Sequence, residues 1–268
     1  MMKTIDTRIE HFNDGATIHF FRKGKKMRKL RLGPNHVHAF ITHPDGSITD
    51  LGISENLLTN GGRDLWAATF GNATLHAGTH TTAPTTTLVT DSALAGSASL
   101  YNGWRLYSPI TGLTTPLVYA NCATGGSSTT IVIDQWWTAT DTTGTTPAIN
   151  SVYLLVPMCA GRFMAVSGNT TAPTASDTTL AGEETGGVGL NRTKATYAHT
   201  GGNATYTEQV AYSVTGTPAT NPIHKMALFT AANPTAGGIM VFATILNADA
   251  TVGNGDTLTV TDTITMSG

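Results

Sequence analysis

The side chains best able to do chemistry in this chain are its nine histidines and a few carboxylates beside them. His36 and His38 stand two apart, so a strand would place them on one face, and His43 follows with Asp45 close behind. Two histidines and a carboxylate could hold a transition metal. His43 precedes a proline at a turn, however, so no metal site is expected. His76 and His80 are four apart but lie in a Gly- and Thr-rich stretch that reads as loop. No G-x-S-x-G elbow, no phosphate loop and no cysteine with a matched histidine pattern is present. Glu183 and Glu184 are adjacent acids, and neighbours on a strand face opposite ways, which makes a poor catalytic pair. The expectation is therefore no catalytic residue, no metal, no cofactor and no enzymatic activity.

Two other clusters stand out. From Arg22 to Arg31 seven of ten residues are basic, namely Arg22, Lys23, Lys25, Lys26, Arg28, Lys29 and Arg31. Residues 1–63 carry a net +4 and residues 64–268 a net −6. A homomer could thus supply the acidic surface that the basic stretch would meet, so this stretch is the candidate inter-subunit contact. A solvated turn or a nucleic-acid contact is the less favoured reading. Trp104, Trp136 and Trp137 are candidate surface aromatics. Adjacent Trp136 and Trp137 should point to opposite faces of a strand, leaving at least one at the surface or an interface.

The elements that must position these groups read as strands. Only 12% of the 268 residues are charged, about half the usual share, and Thr, Ala and Gly are abundant. Thr257–Met266 alternates Thr with Leu258, Val260, Asp262, Ile264 and Met266, the pattern of a strand with one wet face. Ile239–Leu246 is a continuous apolar run, and the turn chemistry at 253–256 predicts that the two pair as an antiparallel hairpin. Asp262 falls on the apolar face, where it needs a partner such as Lys225 or Arg192, or an opening to solvent or a neighbour. Asn60–Phe70 is the best helix candidate, capped by Thr59 or Asn60, with Leu65, Trp66 and Phe70 as its apolar stripe. Further strand islands recur every ten to fifteen residues, Thr129–Thr138 among them, which suits a sandwich or barrel.

The expected fold is all-β: an antiparallel β-sandwich, Ig-like or jelly-roll-like, with one short helix. Residues 1–55 form an N-terminal β-arm or meander. Residues 56–268 form the sandwich, with a Thr/Gly-rich β region inserted at about 71–160. Thr81–Thr85 (TTAPT) recurs at Thr170–Thr174, followed in each case by an acid and a Leu-Ala-Gly, as a copied loop or duplicated module would show. Cys122 and Cys159 have no metal-ligand spacing and are expected to be free buried thiols, with a single bridge as the alternative. No signal peptide or membrane-spanning run is read in the sequence.

Three motifs, in order, give a resemblance. Asn56–Leu65 (NLLTNGGRDL) resembles the helix start of small structural proteins of tailed bacteriophages. Ala165–Asn169 with Thr170–Glu183 (TTAPTASDTTLAGE) is similar to their next motif. Ala227–Ala231, Gly237–Ile239 and Gly255–Thr265 are similar to their ending. The matches cover roughly residues 55–70 and 162–268. Residues 71–160 depart from the pattern as an insertion, Asp262 stands where those proteins have Trp, and the arm is not specific to them. The resemblance implies a non-enzymatic virion protein, assembled in the bacterial cytoplasm. Its partners would be copies of itself and a major capsid or tail protein, as head decoration or tail accessory. The alternative expectation is a tail-fibre-like module that binds host glycans through Trp104, Trp136 or Trp137.

Overall fold

A computed structural model describes residues 5–12, 15–22, 25–32, 36–70, 75–94, 101–110, 117–123, 126–140, 142–157, 161–201, 203–219, 221–232 and 237–267. For 5–32, 66–68, 70 and 266–267 it describes the backbone alone. The described residues are almost entirely β, in stacked antiparallel layers with one α-helix, and the fold is sandwich-like.

The front sheet contains β4 (His36–Thr42), β5 (Ile48–Glu55), β16 (Thr196–His199), β17 (Thr205–Ser213) and β20 (Thr257–Ser267), in the order β5-β4-β20-β17-β16. Beside it run β1 (Ile5–Phe12), β2 (Gly15–Arg22) and β3 (Lys25–Leu32). β3 reaches the sheet where Leu32 pairs Met266 and Arg31 pairs Ser267. The central sheet is built from β6 (Leu57–Leu58), β14 (Phe163–Ser167), β15 (Thr193–Lys194), β18 (Ile223–Phe229) and β19 (Met240–Ala250), in the order β15-β14-β18-β19-β6. The back sheet is made by β7 (His76–Thr79), β9 (Arg105–Pro109), β10 (Leu117–Asn121), β12 (Trp137–Thr138) and β13 (Val152–Val156). A short pair, β8 (Leu88–Thr90) with β11 (Thr130–Val132), lies beyond it.

The hydrophobic pattern of each strand follows its layer. All five residues of β14 and the first five of β19 are buried. A strand covered on both faces has no use for alternation, so these segments read as continuous apolar runs. One face of the central sheet (Met164, Val166, Met226, Leu228, Phe242) packs on Val37, Ile41, Val210, Leu258, Val260 and Ile264 of the front sheet. Its other face (Phe163, Ala165, Ala227, Phe229, Ala243) packs on Tyr119 and Trp137 of the back sheet. The far side of the back sheet closes over Leu106, Ala120, Ile131, Ile133, Trp136 and Leu155. In β20 the residues Leu258, Val260, Asp262 and Ile264 are buried, while Thr257, Thr261, Thr263 and Thr265 stay partly exposed.

The expected hairpin between the last two strands does not form. β19 pairs with β18 and β6, whereas β20 pairs with β17, β4 and β3. Residues 251–256 instead carry the chain from the central to the front sheet. The two strands have different needs: Met240–Leu246 requires cover on both faces, and the Thr-alternating β20 requires one wet face. The expected strand over Thr129–Thr138 also breaks, into β11 and β12. At the break, Asp134 accepts hydrogen bonds from the Asn121 and Gln135 backbone N–H groups (2.9 and 2.7 Å), the Asn121 amide (2.8 Å) and Trp137 Nε1 (3.0 Å).

The helix α1 (Asn60–Phe70) forms where expected. Thr59 Oγ1 accepts the Gly62 N–H at 3.1 Å, the N-cap geometry that satisfies a first-turn donor. Leu65 is buried, and the side chains of Trp66 and Phe70 lie outside the described residues.

Candidate functional site

The sequence motifs meet at one joint. The hydroxyl of Thr59, ahead of α1, donates to the Met240 and Val241 carbonyls, and its N–H donates to Val241 O at 3.0 Å. The Asn60 N–H reaches Ala175 O in the 170–182 loop at 2.6 Å. Gly62 lies so close to β19 that an added Cβ would sit 2.5 Å from Val241 O, so this position demands glycine. Arg192 grips Glu183 bidentately, Nε to Oε1 at 2.9 Å and Nη2 to Oε2 at 2.7 Å. Its Nη1 donates to Gly237 O at 2.6 Å and Ala231 O at 3.1 Å, and the guanidinium lies 3.6 Å from the Phe229 ring centroid. Glu183 thus serves as half of a buried ion pair.

Beside this joint the 169–181 loop lies over the central sheet's back face and leaves a pocket of about 360 Å³. Ala172, Pro173, Leu180, Met240 and Ala243 give it apolar walls; Asn169, Thr171, Ser176, Asp177, Thr178, Thr179 and Lys225 give it polar ones. Lys225 is 4% exposed and donates to Asn169 Oδ1 at 2.8 Å and Thr171 O at 2.9 Å. Burial lowers its pKa, and the Asp177 carboxylate opposes that shift. Asp177 is itself held below the ordinary carboxylate range by the Thr174 N–H and hydroxyl, at 2.9 and 2.7 Å. Lys225 went unassigned to a site in the sequence, although a signal existed: it is a lone cation within the apolar strand Ile223–Phe229.

A second polar group lies in the core between the front and central sheets. Asp262, fully buried, stands opposite Glu208 across the β17–β20 ladder. Its Oδ2 accepts from Asn56 Nδ2 at 2.9 Å, and Oδ1 has no hydrogen-bond partner among the described residues. The expected partners lie elsewhere. Lys225 is in the pocket on the other face of the central sheet, and Arg192 holds Glu183. Arg162 instead approaches Glu208, Nε to Oε1 at 3.9 Å. Burial first, and the Glu208 charge after it, drive the Asp262 pKa well above its ordinary value despite the Asn56 bond.

The described histidines gather at no common metal-binding centre. His38 bonds Asp50 at 2.8 Å, whereas His43 bonds Asp256 at 2.9 Å and Thr49 at 3.0 Å. No group of three potential metal ligands occurs among the described residues. His80 is buried against Tyr153 and Trp136, with Nε2 3.1 Å from Ser108 Oγ, and burial pulls its pKa down to about 4. The Cys122 thiol is buried, and burial pushes its pKa up; Cys159 lies outside the described residues.

The aromatic face is corrected. Trp136 is 2% exposed and Trp137 9%, because each side of the broken strand is covered by another layer. Trp137 stacks on Tyr119 and packs on Phe163, while Trp136 fills the back core and donates Nε1–H to Thr85 O. Trp104 is half-buried, edge-on to Tyr101. The three do not form a platform. Of the basic stretch, Lys23 lies outside the described residues. Arg22 pairs with Lys25 at the β2–β3 turn, and Lys26, Arg28, Lys29 and Arg31 sit along β3 opposite Phe21, Phe20, His19 and Thr17; only the backbone is described there. The two copies of the echoed loop share a buried leucine, Leu94 and Leu180, each in a different core. Their acids differ: Asp91 accepts the buried Tyr153 hydroxyl at 2.7 Å, whereas Asp177 lines the pocket.

Compared with known proteins, the chain matches no family model, no curated protein and no solved structure. Among the described residues no helix is long and apolar enough to cross a membrane.

Proposed function

We propose that the chain is a non-enzymatic structural protein of a tailed bacteriophage virion, packing on copies of itself and on a capsid or tail protein of the same particle. The observation that supports this reading is the joint at Thr59, Gly62, Glu183 and Arg192. The motifs that carry the phage resemblance are spent on capping a helix, closing a turn and riveting a loop to the central sheet. Their chemistry is architectural, as a particle component requires. The glycan-binding alternative through Trp136 and Trp137 loses its platform, because both rings are buried.

The test is the mass of the purified chain by light scattering at low and high salt, followed by co-sedimentation with particles that lack it. A defined oligomer, or saturable uptake onto particles, is the expected result. An oligomer that dissociates in salt assigns the self-contact to the basic β2–β3 strands, since exposed charge pairs are screened within about 8 Å at physiological ionic strength. A monomer that no particle takes up would overturn the reading.

A further inference from the structure

The pocket over Lys225 has no role in the architecture just described. The 169–181 loop is already fastened at both ends. The Ser167 hydroxyl donates to Ala181 O at 2.6 Å and receives the Asn169 N–H at 3.0 Å, while Leu180 is buried in the core between central and back sheets. Between these anchors Thr171 O accepts from Lys225 and Ala175 O from the Asn60 N–H, and a cavity of about 360 Å³ remains beneath the loop.

The polar inventory of the cavity defines what would fill it. An ammonium group has three donors. Two of Lys225's meet Asn169 and Thr171, and the third has no partner among the described residues. Lys225 is therefore a fixed cation with one donor to offer. On the rim, the hydroxyls of Thr178 and Thr179 have no partner among the described residues, and each can both donate and accept. The Asp177 oxygens each take one bond from Thr174 and keep further lone pairs. The same cavity is also lined by the aliphatic surfaces of Ala172, Pro173, Met240 and Ala243.

A phosphorylated ligand is a poor match, because one ammonium faces a carboxylate in the same cavity. A lipid chain is equally poor, because hydroxyls and charges interrupt the apolar wall. A ring that carries hydroxyls on its edge and C–H groups on its face satisfies every wall at once. Pockets of a few hundred Å³ are the usual size for such ligands.

We infer that the pocket bounded by Asn169, Asp177, Thr178, Thr179, Met240 and Lys225 is a binding site for a saccharide unit. Lys225 and Asp177 hold ring hydroxyls, and Met240 and Pro173 lie under the ring's C–H face. The site is separate from the tryptophans and independent of how the chain assembles. The particle component proposed above would thereby carry a sugar-binding surface on the back of its central sheet.

The test is amide NMR on the full chain, titrated with a neutral hexose, an N-acetylhexosamine and a hexuronic acid, each to ~10 mM, where a millimolar Kd would saturate. The expected result is a set of shifts confined to Asn169, Thr171, Ser176–Thr179 and Lys225, for at least one of the three. Ala172→Trp fills the mouth from an exposed rim position and should weaken that sugar about tenfold or more while leaving the remaining spectrum in place. Lys225→Met should do the same if it folds, and Ala172→Trp decides the matter if it does not. No shift with any of the three sugars overturns the inference, as do shifts centred elsewhere or binding unchanged in Ala172→Trp. The light-scattering mass reads out the assembly proposal separately, so the failure of one is distinguishable from the failure of the other.

Discussion

Removing Arg192 is the sharpest perturbation of the joint. Its side chain is 3% exposed and that of Glu183 10%, so neither charge leans on solvent. Arg192→Ala removes both halves of the bidentate bond and strips the Gly237 and Ala231 carbonyls of a donor. It also lifts a cation from 3.6 Å above Phe229. Breaking one partner of a buried ion pair costs about 3–5 kcal/mol, because the other charge stays buried alone. Against a typical total of about 5–15 kcal/mol this is large but survivable. With a urea m-value of roughly 3 kcal/mol/M, the unfolding midpoint should fall by about 1 M or more. Glu183→Ala should cost a similar amount. The double variant should cost much less than the two together, with a coupling of about 2 kcal/mol or more. Urea titrations of the four proteins, at two salt concentrations, measure this cycle. Single losses under about 1 kcal/mol, additive in the double variant or erased by salt, would refute the reasoning and reduce the pair to a surface contact.

Asp262→Asn should stabilise the protein at neutral pH. The folded carboxyl holds its proton to a raised pKa while the unfolded one releases it near pH 4, so the wild type loses stability as pH rises between the two. The gain measured by thermal unfolding should therefore grow above pH 4 and vanish at pH 3; a gain independent of pH would contradict it. His80 acts with the opposite sign. Its folded pKa of about 4 lies below the ordinary 6.5, so the unfolded state binds the extra proton and stability falls as pH drops through that window. Hydrogen exchange should show the loss in β7 and β13 first, and protection unchanged from pH 7 to 4.5 would count against it. Thr59→Ala should cost about 1–2 kcal/mol through the lost cap, read by urea denaturation, and a cost near zero would mean that the Asn60–Ala175 bond holds α1 alone.

The sequence disclosed period and punctuation well. The alternation of Thr257–Met266 and the helix capped by Thr59 both appear with nearly the expected bounds. Partnership was less legible. Turn chemistry at 253–256 looks the same whether the chain folds back within a sheet or crosses to another. What distinguishes the two is that β19 is apolar on both faces and β20 on one. The tryptophans misled for the same reason. Opposite faces mean one wet face only in a two-layer protein, and a third layer buries both. Arg192 and Glu183 lie nine residues apart with a turn between them, and nothing local marks them as partners.

The back layer also changes what the region between α1 and β14 is in physical terms. Phe163, Ala165, Ala227, Phe229 and Ala243 would form an apolar face on a simple two-sheet sandwich, and Tyr119 and Trp137 cover it. The small alanines at its centre let the two sheets approach closely, with Trp137 seated against Phe163 at 5.7 Å between ring centroids. The back sheet is therefore held by the core it completes, while its far side keeps a separate core around Trp136 and Leu155. The pocket at Lys225 is lined by the 169–181 loop and the central sheet and by no back-sheet residue among those described. A buried lysine is tolerated within this otherwise apolar strand because Lys225 meets Asn169, Thr171 and Asp177 there.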